Sequence, residues 1–283
     1  MRMTTIADRV TIVLGGGLVD VERASGGRFG HAAEDAFARW GDLRAWVDST
    51  DLAPHAETGI ASGMPSPRPR QVFAIGLNYA DHAAESGVPV PAFPPTFTKF
   101  ATCLTTPGSD LVLPSDQVDW EAELVAVIGV RAHRVSVKDA WDHVAGLTLG
   151  QDFSEREVQM RGAVPQFSLG KSYPGFGPIG PYLVSPDEFA DPDDLAIECE
   201  INGEVVQSSR TSRLVFSVAE LVSILSGVCP LLPGDVIFTG TPGGVGVSRE
   251  PARFLQPGDV VVTRIEGIGE MRQRCVSPGE TAA

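Results

Sequence analysis

The sequence predicts an α+β fold, a β-rich domain with few helices preceded by a small N-terminal α/β domain. Beyond residue 70, short β-like runs outnumber helical patterns, and the two do not alternate as a doubly wound sheet requires. The segment SGMPSPRPRQ, from Ser62 to Gln71, gathers Pro, Ser, Gly and Arg as a connection does. It divides the chain into residues 1–65 and 70–277.

Taken in order, residues 9 to 23 read as strand, a Gly15-Gly16-Gly17 turn and strand. Residues 32 to 48 carry Ala36, Phe37, Trp40, Leu43, Trp46 and Val47 near helical spacing. The second domain opens with QVFAIGL, TFTKF and LVLP, continues with AELVAVIGV and PYLVS, and ends with DVIFTG and DVVVTRIEG. Turns are marked by Pro107-Gly108, Asn202-Gly203, Pro233-Gly234 and Pro257-Gly258, and LAIECEINGEVVQ predicts a hairpin about Asn202-Gly203. Helices are expected over Tyr79 to Glu85, Val137 to Val144, Phe153 to Arg161 and Ser217 to Ser226. No internal repeat or low-complexity tract interrupts the pattern.

Composition bounds the function. The 283 residues are 43% hydrophobic and 20% charged, an ordinary globular balance. A formal charge of −14 and a pI near 4.7 repel a phosphate backbone, so nucleic acid is not an expected partner. No apolar run reaches membrane-spanning length, and MRMTTIADRV lacks a signal-peptide core, which predicts a cytoplasmic protein. Cys103, Cys199, Cys229 and Cys275 stand far apart with no C-x-x-C pair, as reduced structural thiols do.

The stretch VDWEAELVAVIG raises the chemical question. Glu121 and Glu123 lie two apart in a strand, so their carboxylates share a face and repel. On the wet face of an edge strand this would mean little, but Val125 and Val127 continue the same face as apolar residues. Asp152 follows in GLTLGQDFSEREVQ, where it is a plausible helix N-cap. Three carboxylates held together stay ionised only around positive charge, and a hard divalent cation, Mg2+ or Mn2+, meets that need with oxygen ligands. Such an ion would keep about three positions for water or a chelating substrate.

A second group lies in IGLNYADHAAESG. Asn78 is the expected N-cap, with Asp81 at the third helical position and Gly87 as the stop. His82 and Glu85 then share a helix face. A carboxylate on one imidazole nitrogen fixes the tautomer and leaves the other nitrogen as a base, although an isolated H-x-x-E is more often a surface pair. Lys171, Arg156 and Gln159 complete the set as groups able to balance anionic substrate oxygens.

IGLNYADHAAE, PPTFTKF, DWEAELVAVIG, GLTLGQDFSEREVQ, LGKSYPGFGPIGP and DVIFTGTPGGVG, in this order, resemble the fumarylacetoacetate hydrolase family over about residues 70 to 272. The resemblance implies a mixed β-roll with peripheral helices, usually a homodimer, binding Mg2+ or Mn2+ through Glu121, Glu123 and Asp152. It further implies His82 and Glu85 as the catalytic pair, Lys171 facing substrate, and Tyr79, Arg156, Gln159 and Thr241 as substrate contacts. Gln151 and Phe153 depart from the Asn and smaller apolar residue of many members, which bears on pocket shape. FSLGKSYPGFGPIGP is similar to a bacterial subgroup associated with diketo sugar-acid hydrolysis.

The function so implied is metal-dependent hydrolysis of a C–C bond in a 2,4-dioxo acid, acylpyruvate or diketo sugar acid, giving a carboxylate and a pyruvate-type product. Oxaloacetate decarboxylation, or 2-oxo acid isomerisation or hydration, is the alternative on the same site, and a non-enzymatic binding module is third. Other motifs are dismissed. GKS at Gly170 to Ser172 lacks the first phosphate-loop glycine, since Pro165 stands there. GGVG at Gly243 to Gly246 lacks dinucleotide spacing, no G-x-S-x-G elbow is present, and His31, His55, His133 and His143 have no motif around them.

Overall fold

The computed structural model describes residues 1–15, 17–58, 63–66 and 68–280. Its centre is a large mixed sheet. From one edge it runs through Glu57–Thr58, Gly17–Asp20, Arg9–Leu14 and Arg2–Ile6 to Gly177–Val184. It continues through Val144–Gln151, Ala122–Ile128, Val236–Phe238 and Val72–Ile75 to Thr96–Thr98. A five-stranded sheet, Glu204–Arg210, Ala196–Ile201, Val260–Ile265, Gly269–Val276 and Leu111–Val112, packs against it. This is the α+β architecture expected, rich in strands and short of helices.

Ala122–Ile128 and Val144–Gln151 are buried along their whole length, as unbroken apolar runs should be at the middle of a sheet. Strand alternation then assigns two cores. Leu124, Ala126 and Ile128 face Ile197, Cys199 and Val261 of the smaller sheet and Leu221 and Leu225 of the helix Val218–Val228. Val125 and Val127 face the other way, into a core shared with Phe37, Trp40 and Leu43 of the N-terminal helices. Gly129 lets Trp40 seat on that face, since a Cβ there would lie 2.7 Å from the indole.

The strands expected over residues 9 to 23 and helices over residues 32 to 48 form, and Arg2–Ile6 extends the large sheet by pairing Met3 with Leu183. The helix read over 32 to 48 is two, Ala33–Ala38 and Trp40–Ser49, parted at Arg39, whose φ of −129° leaves the helical region. Gly16 of the glycine turn, and Ser62 and Pro67 of the connecting segment, lie outside the described residues.

Elsewhere the departures are local. Val137–His143 is a 3-10 helix rather than an α-helix. In the stretch read as a helix from Phe153, Ser154–Glu155 instead pairs with Val118–Asp119, and only Arg156–Gln159 is helical. The hairpin turns at Asn202 and Gly203, both at positive φ, and Ser217 and Glu220 form a capping box at Val218–Val228. The four cysteines are free thiols, three of them buried.

Candidate active site

The two central strands build the acidic cluster. Ala122 pairs with Gln151, so Glu121 and Glu123 on one strand come alongside Asp152 just past the end of the other. The Asp152 N–H donates to the Glu121 carbonyl at 2.9 Å. Oxygens from the three carboxylates lie within 4.8 Å of one another, and all three residues are buried. Gly150 faces Glu123, and a side chain there would crowd Val125 at 2.7 Å and Phe238 at 2.9 Å, so glycine keeps that face open.

Cations are arranged around two of the three. Lys171 Nζ donates to Glu121 and to Asp152, each at 2.7 Å, and Lys99 Nζ donates to Asp152 at 2.6 Å and also to the Lys171 carbonyl. Arg156 lies 2.8 Å from Glu121 and 2.7 Å from Asp119. Burial alone would raise the Glu121 carboxyl, but Lys171 and Arg156 outweigh it and hold it down to about 2. Glu123 goes the other way. Burial, then Asp152 and Glu121, push it well above the usual carboxylate range.

That asymmetry tests the fit of a metal. Among the described residues no cationic side chain pairs with Glu123, whose Oε2 accepts only the Gly240 N–H at 2.8 Å. A buried carboxylate beside two others with one backbone donor lacks positive charge. Three hard oxygen donors with that deficit suit Mg2+ or Mn2+.

The dyad sits across from the cluster. His82 Nδ1 meets Glu85 Oε1 at 2.8 Å, and Glu85 Oε2 accepts the Gly244 N–H at 2.7 Å. The helix is Ala80–Glu85 with Tyr79 as its cap residue, so Asn78 is not the N-cap expected. Its amide instead donates to the carbonyls of Phe216 and Thr239 and accepts from the Phe216 N–H, tying the loop to the sheet. The side chain was needed for a longer-range job than capping.

A cavity of about 450 Å3 joins the dyad to Glu121, the member of the acidic cluster that lines it, with Glu123 and Asp152 behind. His82, Glu85, Glu121, Arg156, Gln159, Lys171 and Thr241 all line it. Thr241 donates to the Ala122 carbonyl at 2.9 Å and accepts from Gln207 at 2.8 Å, so its hydroxyl also fixes the strand. Tyr79 is not brought there. It is wholly buried, its hydroxyl has no partner among the described residues, and burial followed by the Glu123 charge pushes that hydroxyl above its ordinary range.

Sequence reasoning missed Lys99 and Asp119. Asp119 accepts from Arg156, Trp120, Gly246 and Val247, holding Arg156 and the loop after Thr241 together. An acid two residues before Glu121 on the same apolar run was the available signal. GGVG, dismissed as a dinucleotide site, is this loop. A Cβ on Gly244 would lie 2.2 Å from the Val206 carbonyl, which is why glycine stands where Glu85 is gripped. Gln151 does not shape the pocket. Its amide accepts the Glu121 N–H at 2.8 Å and donates to Thr263 at 2.9 Å, and Phe153 packs on Phe176 in the core.

Residues 71–276 match the model for the fumarylacetoacetate (FAA) hydrolase C-terminal region. The chain belongs to the fumarylacetoacetate hydrolase family. It is 44% identical over 235 residues to a mitochondrial oxaloacetate tautomerase of Bos taurus, covering 82% of this chain and 74% of that one. The crystal structure of an HpcE-type protein from Mycobacterium smegmatis superposes with a TM-score of 0.95 at 49% identity, over 98% and 99% of the two chains. Maleylpyruvate hydrolase from Sphingobium, in complex with manganese and pyruvate, superposes at 0.79 with 27% identity over 98% and 99%. Among the described residues no helix is long and apolar enough to cross a membrane.

Proposed function

We propose that the chain is a metal-dependent enzyme that moves the C3 proton of a 2-oxo acid, interconverting its keto and enol forms. The observation that carries this reading is the His82–Glu85 dyad lining the same cavity as the Glu121 end of the acidic cluster. Proton transfer needs one base and one sink for negative charge. Identity to an oxaloacetate tautomerase supports the reaction type and makes oxaloacetate the reference substrate against which other 2-oxo acids are compared.

Mg2+ or Mn2+, held by Glu121, Glu123 and Asp152, would supply chelation of the substrate's carboxylate and keto oxygens and a sink for enolate charge. The chain's own residues do the rest. The Glu85 carboxylate accepts a hydrogen bond from His82 Nδ1–H, which leaves Nε2 as the base that takes the proton from C3. The C3–H electron pair becomes the C2–C3 double bond, the C2=O π pair moves onto the oxygen, and the His82 imidazolium gives the proton back there to complete the enol. Glu85, fixed by the Gly244 N–H, stabilises the imidazolium in between. Lys171 adds positive charge at the carboxylate end.

Hydrolysis of a 2,4-dioxo acid is the second reading, favoured by the likeness to maleylpyruvate hydrolase. There the same dyad would take its proton from water, and hydroxide would attack the distal carbonyl. Oxaloacetate decarboxylation needs no base and is set apart by that. With Mg2+ or Mn2+ present, enol absorbance and C3 deuterium exchange should both respond to enzyme, and His82→Ala should stop both. Cleavage of acylpyruvates without faster enol–keto exchange would replace tautomerisation by hydrolysis.

The same proposal takes the chain as a homodimer in a cytoplasm, with a unit at 1–65 and a catalytic unit at 70–277. Light scattering tests the first. Fractionation of the host cell tests the second, since animal relatives are named as mitochondrial.

A further inference from the structure

We infer that the outer part of the cavity is a site for an uncharged hydrocarbon tail, so that the preferred substrate is a 2-oxo acid bearing an apolar acyl or alkyl group instead of a second carboxylate. This rests on the proposed reading for one point, that the 2-oxo acid head lies at the Glu121 end.

The charged groups of the lining are Glu121 with Arg156 and Lys171, and the His82–Glu85 pair. Arg156 and Lys171 are its only Arg or Lys side chains among the described residues, and both are ion-paired to Glu121. His82 is paired to Glu85. The remaining wall is mostly apolar, with Leu77, Val88, Phe97, Met160, Phe167 and Val247; of its uncharged polar side chains Gln159 is bonded to Arg156 and Thr241 to the Ala122 carbonyl, which leaves Ser86 and Ser248. A second carboxylate reaching this wall would leave water with no cation to receive it, whereas a hydrocarbon tail gains by burial.

The wall is built rather than incidental. Phe97 and Phe167 meet edge to face at 5.5 Å, and Lys171 Nζ lies 5.3 Å from the Phe97 ring, where charged and apolar ends adjoin. Leu77 takes a φ of +54°, a conformation branched side chains rarely adopt, and lines the cavity from there. At the mouth Met160 remains 55% exposed and Val88 40%, apolar groups left uncovered where a bound tail would cover them. The volume, about 450 Å3, is within the range of about 300–1,000 Å3 of drug-sized ligand sites and exceeds what a four-carbon acid fills.

Calorimetry on the Mn2+-loaded protein tests this with pyruvate, straight-chain 2-oxo monocarboxylates of growing length, and 2-oxo dicarboxylates of matched length. The Kd should fall about fourfold per added methylene over the first few. Each dicarboxylate should bind at least about tenfold more weakly than its monocarboxylate partner, the scale of an unpaired polar group in an apolar wall. Met160→Lys, at an exposed position that does not endanger folding, should narrow or invert that ratio. Equal or tighter binding of dicarboxylates by the unaltered protein, or no dependence on length, overturns the tail site. Deuterium exchange at C3 on the same complexes separates the two readings. Absent exchange with the tail order intact overturns the reaction alone, exchange with dicarboxylates preferred overturns the tail site alone, and no binding of any 2-oxo acid overturns both.

Discussion

The two ends of the cavity are built by opposite means. At the inner end Glu121 and Asp152 are each bonded to cationic side chains at 2.6 to 2.8 Å, at the adjoining ends of two strands buried along their whole length. At the outer end Val88, Met160 and Phe167 come from short turns and a short helix, and Met160 is more than half exposed. Charge in a low-dielectric setting has to be matched within a few tenths of an ångström, while apolar contact is non-directional. Chemistry therefore sits on rigid strands, and substrate choice on segments that can vary without disturbing it.

The sharpest way to break this contrast is at Asp152. Asp152→Asn leaves Lys99 without its carboxylate partner in a fully buried position. Metal-dependent turnover should be abolished, and stability should fall by about 3–5 kcal/mol, the cost of stranding a buried charge. Denaturant titration and steady-state rates read the two effects. A stable, active variant would show that the cluster is neither a metal site nor an interlocked set of charges.

His82→Ala comes next, at the junction of the two ends. Loss of a positioned base should lower kcat about 10²–10⁴-fold with little change in folding, since among the described residues the His82 side chain is bonded only to Glu85, at the cavity wall. Phe167→Ala is smaller and of another kind. Removing one aromatic face from the outer wall should raise KM about tenfold for long-tailed substrates and leave kcat near its original value, because the head group is held elsewhere. A matching loss of kcat would mean that the outer wall also positions the reacting carbons.

This difference also decides what could be read in advance. Glu121 and Glu123 were legible because strand alternation alone puts them together, and His82 with Glu85 because a helical turn does. Lys99 reaches Asp152 across 53 residues of chain, and Asp119 reaches Gly246 across 127, contacts that no local period encodes. Asn78 was assigned to a cap by its type, yet its amide is spent on Phe216 and Thr239, 138 and 161 residues away. The core strands announced themselves as unbroken apolar runs. The extension of the large sheet by Arg2–Ile6 did not, because a short strand beginning at the second residue has too few positions to show a period.

A last prediction uses a charge pair outside the cavity altogether. Arg44, on the helix Trp40–Ser49, donates to both oxygens of Asp187 at 3.1 Å, joining that helix to the turn after Gly177–Val184. This too is a doubly hydrogen-bonded charge pair, but its bonds are longer than those of the inner cluster and the Asp187 side chain is 60% exposed. Water screens it, so Arg44→Ala should cost less than about 1 kcal/mol, against several for Asp152→Asn. The hydrogen bond from Arg44 holds the Asp187 carboxyl below its usual range. A depressed carboxylate adds stability that is present above the unfolded value of about 3.9 and is lost as pH falls through the folded one. The difference in Tm between variant and parent should be about 2 °C or less at neutral pH, shrink in added salt, and vanish in acid. If it equals the Asp152 effect and persists in salt, burial does not distinguish the two pairs, and the partition between a charged interior and a replaceable exterior fails.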